Sequence, residues 1–436
     1  MKSRLSSKFW LALVLFSLMG QVAWTVENMY LNVFIYKMFN ATASQISLMV
    51  ALSAVTATLT TVFIGALSDK IGKRKLFMCG GYILWGVSIF AFALIRVDYI
   101  SAFIPSVLSA SALGISLAII FDCVMTFFGS SANDAAFNAW LTDSTSEKNR
   151  GSAEGINAMM PLVSVLVVFG GFMAFDLSLS SSWTAIFIII GAVVTLIGVL
   201  GLFIIDDPDI KKSDSGYLKD VVYSFLPSTI SKNVSFYLYL ACFVIFNISI
   251  QIFMPYLIIY YEVSLGMADY VLIMAPAVIL AAVATALWGR VYDKKGFGLT
   301  SLISLSSLSL GYVLLSLFIG RLPVFIGSLF MMCGFLSGMA IFGAKIRDLT
   351  PSGQAGRFQG IRIFSQVLVP GIIGPFIGKS VLKNADIIVN GDGTESFVPN
   401  QNIFVAALIA AIAAIIATLI IMKVTKVKEK HKGEIQ

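Results

Sequence analysis

The sequence predicts an all-α membrane protein with twelve transmembrane helices in two pseudo-symmetric six-helix bundles. Three observations carry that expectation. Of 436 residues, 58% are hydrophobic and 12% charged, against roughly 25% charged in soluble domains, so the excess apolar surface must face lipid. Twelve stretches hold the ~20 apolar residues a helix needs to cross the hydrocarbon, at 9–36, 46–67, 76–97, 115–142, 153–175, 183–205, 234–261, 268–289, 300–320, 324–346, 358–379 and 402–423. A loop of one carboxylate, glycines and cations, Gly65-Ala66-Leu67-Ser68-Asp69-Lys70-Ile71-Gly72-Lys73-Arg74-Lys75, is echoed 224 residues later by Gly289-Arg290-Val291-Tyr292-Asp293-Lys294-Lys295-Gly296, which suggests two related halves.

Taken in chain order, the start Met1-Lys2-Ser3-Arg4 is basic, but the apolar run after it is too long for a signal-peptide core, so span one is expected to be retained. Ser101 to Ser116 is apolar, yet joining it to span four would overrun the bilayer, so this segment is expected outside or in the interface. The first bundle covers 1–206, a cytoplasmic linker 207–233, the second bundle 234–424 and a basic tail 425–436. Within the linker, Tyr217 to Ile230 could lie in the interface, with Pro227 opposing a long helix.

The net charge of +7 points to topology rather than to nucleic acid. With both ends on one side of the membrane, 25 Lys and Arg fall on that side and five (Lys37, Arg96, Arg321, Lys379, Lys383) on the other. The positive-inside rule then places both termini in the cytoplasm. Cys79, Cys123, Cys242 and Cys333 all lie in apolar spans, so no disulfide framework is implied. The only histidine is His431, which leaves no histidine-based metal site or catalysis. The run Gly374 to Ser380 has three residues between its glycines where a phosphate loop needs four, so no nucleotide or other cofactor is expected and energy must come from a gradient. Asn40-Ala41-Thr42 is an external glycosylation triplet of a kind that arises often by chance.

A second repeated signal pairs Asp143-Ser144-Thr145, Arg150 and Gly155 with Asp348-Leu349-Thr350, Arg357 and Gly360, the Asp-to-Gly spacing being twelve in both. Each lies between the fourth and fifth span of its half. Internal repeats of this kind characterise secondary transporters, whose binding site sits at the repeat interface.

These residues resemble the major facilitator superfamily, whose loop between spans two and three carries Gly-x-x-x-Asp-x-x-Gly-x-[Arg/Lys]-[Arg/Lys]. Gly65, Asp69, Gly72, Lys73 and Arg74 fill that signature, and Gly289, Asp293 and Gly296 fill it in part. The resemblance implies alternating access with cytoplasmic latches, Asp69 facing the start of span eleven near Arg357 and Asp293 facing Arg150 at the start of span five. It also implies gating roles for Gly65, Gly72, Arg74 and Asp143. A narrower likeness is to the glycoside-pentoside-hexuronide cation symporters, in which Glu27, Asp134 and Arg357-Phe358-Gln359-Gly360 could fill the family's sugar and cation positions. Span two offers Thr56, Thr58, Thr60 and Thr61 where that family places carboxylates, and span eleven lacks its lysine.

Glu27 stands out chemically. A charged carboxylate at mid-membrane costs roughly 2.5–3.5 kcal/mol on insertion scales, so it is usually paired, protonated or facing water. Gln21, Trp24, Asn28 and Asn32 recur at steps of three or four, which gathers them on one face beside Glu27 and Tyr30. Amides donate and accept while an indole or phenol stacks on C–H surfaces, which suits a hydroxylated ligand; the plainer reading is that such amides glue helices together. Span four supplies Asp122 and Asp134, twelve positions and roughly 120° apart on an α-helix, so they should not form a dyad. Asp134, with Asn133, Asn138 and the small residues Gly129-Ser130-Ser131, is the stronger candidate there. In the second half Asn247, Gln251 and Tyr256 mirror the span one stripe with Phe253 in place of Glu27, and Tyr260 and Tyr261 suit an interfacial aromatic belt. Lys345, Arg347 and Arg362 lie toward the cytoplasmic ends, where such side chains commonly snorkel; contact of Arg362 with substrate would make it an anion.

The expectation is therefore a monomeric cell-membrane transporter of a small polar solute, a sugar or glycoside, driven by a proton or cation gradient. The main alternative is proton-driven efflux of drugs or lipophiles, for which 34 Phe and 17 Met could line an adaptable pocket. A membrane enzyme or lipid scramblase would need an interfacial catalytic constellation, and none is visible.

Overall fold

The computed structural model describes residues 5–103, 106–145, 149–207, 222–351, 355–391 and 393–433. Its contacts divide the chain into two units, one of Met1–Leu218 with Ile387–Phe397 and one of Lys219–Asp386 with Val398–Gln436.

Unit one runs through Ser7–Phe39, Ala43–Ile71, Arg74–Phe92, a helix from Val107 ending at Ser144, Arg150–Phe172 and Ser180–Ile204. Unit two runs through Val234–Ser264, Val271–Leu317, Arg321–Leu349, a helix from Ala355 ending at Val381, and Asn402–Gly433. Eleven described helices are long and apolar enough to cross a membrane, and Val271–Leu317 is two spans folded at Gly296, which gives twelve crossings. One expected boundary is corrected: span four starts at Val107, so most of the stretch 101–116 is helix continuous with it, preceded only by the short Val97–Ser101 turn. The linker ends in a six-residue helix, Pro227–Lys232, with Pro227 in the first turn where its missing N–H costs nothing.

The repeated loop has a common backbone requirement. Gly72 (φ 74°) ends span two and Gly296 (φ 72°) folds span eight back as span nine, both in the left-handed region where a Cβ is strained. Asn40 (φ 55°) ends span one similarly, and a reciprocal capping box between Thr42 and Gln45 starts span two.

Within each unit, close approach of helices depends on small residues. A Cβ on Gly86 of span three would lie 2.6 Å from the Gly191 carbonyl of span six. In unit two, Tyr260 and Tyr261 are buried, Tyr260 against Phe404 and Tyr261 hydrogen-bonded to Ser328, so they belong to the core and not to a lipid-facing belt. The segment before span twelve forms a hairpin, β1 (Ile387–Val389) antiparallel to β2 (Glu395–Phe397), that belongs to unit one. Tyr36 donates to the Phe397 carbonyl at 2.7 Å, and Asn40 Nδ2 donates to Thr394 Oγ1 at 2.8 Å. The Asn40 amide of the glycosylation triplet is thus engaged by the hairpin. Outside the membrane, the Arg96 guanidinium grips Asp98 through two hydrogen bonds of 2.9 and 2.7 Å and holds its carboxyl below the ordinary range.

Candidate functional site

Among the described residues four spans contain π-helical segments, at Val26–Tyr30, Ser130–Phe137, Tyr260–Ser264 and Phe364–Leu368. A π-turn inserts one residue, frees backbone groups locally and is common at functional sites. The first two segments carry Glu27 and Asp134.

Glu27 is 6% exposed, and its Oε1 accepts from Ser53 Oγ of span two and Thr126 Oγ1 of span four, each at 2.8 Å. The two hydroxyls are themselves 2.9 Å apart, which closes a three-helix triangle of oxygens. Asp122, one turn before Thr126 and 1% exposed, sits against the same Ser53 and within the field of Glu27. Glu27 Oε2 and Asp122 Oδ1 are both buried without a hydrogen-bond partner. No lysine or arginine forms an ion pair with either carboxyl among the described residues.

Asp134 has hydrogen-bond partners of its own, although its charge also acts on Glu27. Its Oδ2 accepts from Ser130 Oγ at 3.0 Å, and Asn138 Nδ2 donates to its carbonyl at 3.1 Å. Its neighbour Asn133 is buried, accepting from Tyr82 at 3.1 Å and lying where a Cβ on Gly20 would be 2.5 Å from Asn133 Oδ1. Both span-four acids thus act on Glu27 through their charges, and Asp122 is the one that also lies beside Ser53, although the residues around Asp134 make it the more conspicuous acid in the sequence.

The span one stripe divides at the π-turn. Gln21 and Trp24, before it, are half-buried; Trp24 packs tilted against Trp85 of span three, ring centroids 5.0 Å apart, and both indole N–H groups are buried without an acceptor. Asn28 is exposed, while Asn32 is fully buried with its Oδ1 unpartnered. The inserted residue rotates the following turns by about 100°, which breaks an α-helical count of faces. Tyr30 is correspondingly packed among Phe169 and Phe172 in the core of unit one rather than beside the amides. Asn28, Asn32 and Asn247 each spend an amide hydrogen on the carbonyl four residues back, at 2.8, 3.0 and 2.8 Å. What each can present outward is chiefly its oxygen. In unit two Gln251 lies against Gly374, and Tyr256 is fully buried against Gly378, which makes Tyr256 a packing residue between spans seven and eleven.

In the loop between spans two and three of unit one Arg74 is buried and forked: Nη2 meets Asp69 Oδ1 at 2.5 Å, Nε donates to Asp143 Oδ2 at 3.0 Å, and Nη1 donates to Ser68. Asp69 thus has a partner in its own loop, and Arg74 joins it to Asp143. The side chains of Arg150 and Arg357, needed for the expected latches, lie outside the described residues. In unit two the matching acid, Asp348, accepts from Tyr292 at 2.7 Å. Beside it a cavity of about 360 Å³ is lined by Trp288, Tyr292, Asp293, Ser337 and Arg347 among others.

Ser53, Thr126 and Trp85 were not among the sequence candidates. Single hydroxyls and one indole in apolar helices carry no distinctive pattern, and only the crossing of spans one, two, three and four selects them. Among the described residues no group of three or more metal-ligating side chains occurs.

The sequence model of the Major Facilitator Superfamily matches residues 9–375. Among solved structures the chain is similar to a point mutant of the nucleoside transporter NupG, at 12% identity over 94% of this chain and 99% of that one, TM-score 0.69. It is also similar to a bacterial homologue of the human lysosomal transporter Spinster, in an inward-facing, occupied conformation, at 14% identity over 96% and 97%, TM-score 0.70. At these identities the likeness is one of fold. No curated protein matches the sequence.

Proposed function

The chain belongs to the Major Facilitator Superfamily, and from that premise we propose that it is a secondary active transporter of a small hydroxylated solute, a sugar or glycoside, coupled to protons at the Glu27–Asp122 pair. The observation that carries the reading is the pair itself: two buried carboxyls on spans one and four, joined through Ser53, each with a partnerless oxygen and neither with an ion-pair partner among the described residues. Two negative charges in so dry a place would repel each other strongly and be poorly solvated. A proton bound by the pair relieves both costs, and its release accompanies hydration when the site opens to one side.

The hydroxyl triangle orients Glu27 so that Oε1 is satisfied and Oε2 keeps its capacity to accept. The indole N–H of Trp24 and the free oxygen of Asn32, eight residues and so about 12 Å apart along span one, leave one donor and one acceptor unmatched on either side of Glu27. The same oxygens would also suit a small hard cation, and this is the second reading, favoured by two neutral hydroxyls and two carboxyls meeting at one point.

The decisive experiment uses proteoliposomes with imposed gradients and a panel of labelled sugars, glycosides and nucleosides. Wild type is expected to accumulate one of them under a proton gradient. Glu27→Gln should abolish accumulation while retaining exchange of internal for external solute, because exchange needs binding and conformational change but no net proton. Full accumulation by Glu27→Gln removes the residue from coupling. Accumulation driven by sodium at constant pH selects the cation reading, and outward movement of dyes with no sugar uptake selects efflux.

A further inference from the structure

Spans one and four of unit one run antiparallel in constant register. Glu27 meets Thr126, a Cβ on Gly129 would lie 3.1 Å from the Trp24 ring, and a Cβ on Gly20 would lie 2.5 Å from Asn133 Oδ1. From the first of these contacts to the last, seven residues back along span one match seven forward along span four, about 10 Å of helix. Span three lies along the same contacts. Trp85 packs against Trp24, and a Cβ on Gly129 would lie 2.7 Å from its ring. One turn earlier Tyr82 reaches Gly20, where a Cβ would be 2.6 Å from its hydroxyl.

Tyr82 is the polar end of this column. It is fully buried, and its hydroxyl lies 2.6 Å from the Phe16 carbonyl of span one and 3.1 Å from Asn133 Oδ1 of span four. A phenol has one proton, so the two acceptors share it. Phe16 lies inside the helix Ser7–Thr25, whose own ladder also supplies its carbonyl with a donor. Asn133 Oδ1 has no other hydrogen-bond donor among the described residues, and without the Tyr82 hydroxyl it would be buried unsatisfied, which is costly. The orientation of the Asn133 amide is therefore set from span three. The same amide acts as a hydrogen-bond donor on the neighbouring Asp134 carboxyl, whose Oδ2 also accepts from Ser130 at 3.0 Å. All three residues of span four lie in the π-helical segment Ser130–Phe137. Among the described residues the titratable groups within reach of the Asp134 charge are Glu27 of span one and Tyr82 of span three.

We propose that Tyr82 is a positioning residue of the coupling site: its hydroxyl, seated over Gly20, fixes Asn133 and through it the Asp134 carboxyl, whose charge Glu27 feels. The proposal rests on the reading of Glu27 as a coupling acid and adds a third acid to it, set by a tyrosine that makes no hydrogen bond to that acid. Because the same hydroxyl holds the Phe16 carbonyl, sliding of span one past span four is transmitted to Asn133. A movement that opens the Glu27 end of the column thereby reaches Asp134.

Infrared difference spectra of the purified protein, acid minus neutral, follow the C=O stretch of protonated carboxyls without any transport. Bands lost in Asp134→Asn and in Glu27→Gln identify the two acids. In Tyr82→Phe, which keeps the ring, the Asp134 band should move to higher wavenumber because the carboxyl loses a well-placed donor. The Glu27 band should stay, since its donors Ser53 and Thr126 are untouched. In proteoliposomes the same variant should keep exchange of solute and lower the accumulation ratio; an unchanged ratio overturns its part in coupling. The positioning role is overturned if Asp134→Asn removes no band, if the Asp134 band in Tyr82→Phe equals that of wild type, or if both bands move together, which marks general loosening. If Tyr82→Phe does not elute as the wild type does on gel filtration, Asn133→Ala takes its place, and an unmoved Asp134 band there overturns the proposal. Failure of proton-driven uptake in the wild type alongside a selective shift of the Asp134 band would sink the coupling scheme and leave the link from Tyr82 to Asp134 standing.

Discussion

The two repeated loops solve one problem with different side chains. In unit one, Arg74 ties Asp69, Asp143 and Ser68 together from a buried position. In unit two the residue 224 positions after Arg74 is Gly298, which has no side chain to offer, and the residue matching Ser68 is Tyr292, which holds Asp348 through a single hydrogen bond. The glycine that turns the chain is common to both, at Gly72 and Gly296, but the electrostatic clasp is not. The same contrast extends into the membrane: among the described residues unit one buries Glu27 and Asp122, and no carboxylate of unit two is buried to that degree. A duplicated scaffold thus keeps the backbone solution, which sterics dictate, while its charges diverge toward different tasks.

That contrast can be broken from its stronger side first. Arg74→Ala leaves two partly exposed carboxylates without their shared cation and should destabilise unit one by about 3 kcal/mol, at the lower end for a broken buried pair because water reaches both acids. The thermal midpoint in detergent would report it; a midpoint within error of wild type would mean that the clasp contributes nothing. Gly374→Ala tests packing instead of charge. Its Cβ would lie 2.4 Å from Gln251 Cβ, and prying spans seven and eleven apart should cost about 2 kcal/mol. Gly170→Ala, where a Cβ meets nothing within 4 Å, is the control expected to be neutral or slightly stabilising. The smallest effect belongs to Tyr292→Phe, which removes one hydrogen bond to an exposed acid and should cost about 1 kcal/mol or less. A loss as large as that of Arg74→Ala would show that the second loop is clasped as firmly as the first.

Much of the scaffold was legible in the chain because the bilayer enforces it. Twelve apolar stretches, the repeated signature and the segregation of Lys and Arg follow from hydrocarbon thickness and charge cost, which act on local composition. Glu27 was visible for the same reason, as a carboxylate where none is cheap. Its partner was not. Asp122 looked isolated, since its neighbours in sequence are apolar, and only the crossing of spans one, two and four sets Ser53, Thr126 and Asp122 around Glu27.

The amide stripe shows where local reasoning stops. A constant 100° per residue groups Gln21, Trp24, Asn28 and Asn32 on one face, but the π-turn at Val26–Tyr30 inserts a residue and sends Tyr30 and Asn32 into the interior. Nothing in the residue types there compels a π-turn, because its cost is repaid by contacts made with other helices. The sequence by itself determined how many times the chain crosses the membrane, where it turns and which rare ionisable groups it carries inward. Tertiary structure decided which of those groups meet, since pairing depends on distances between helices that no stretch of one helix encodes.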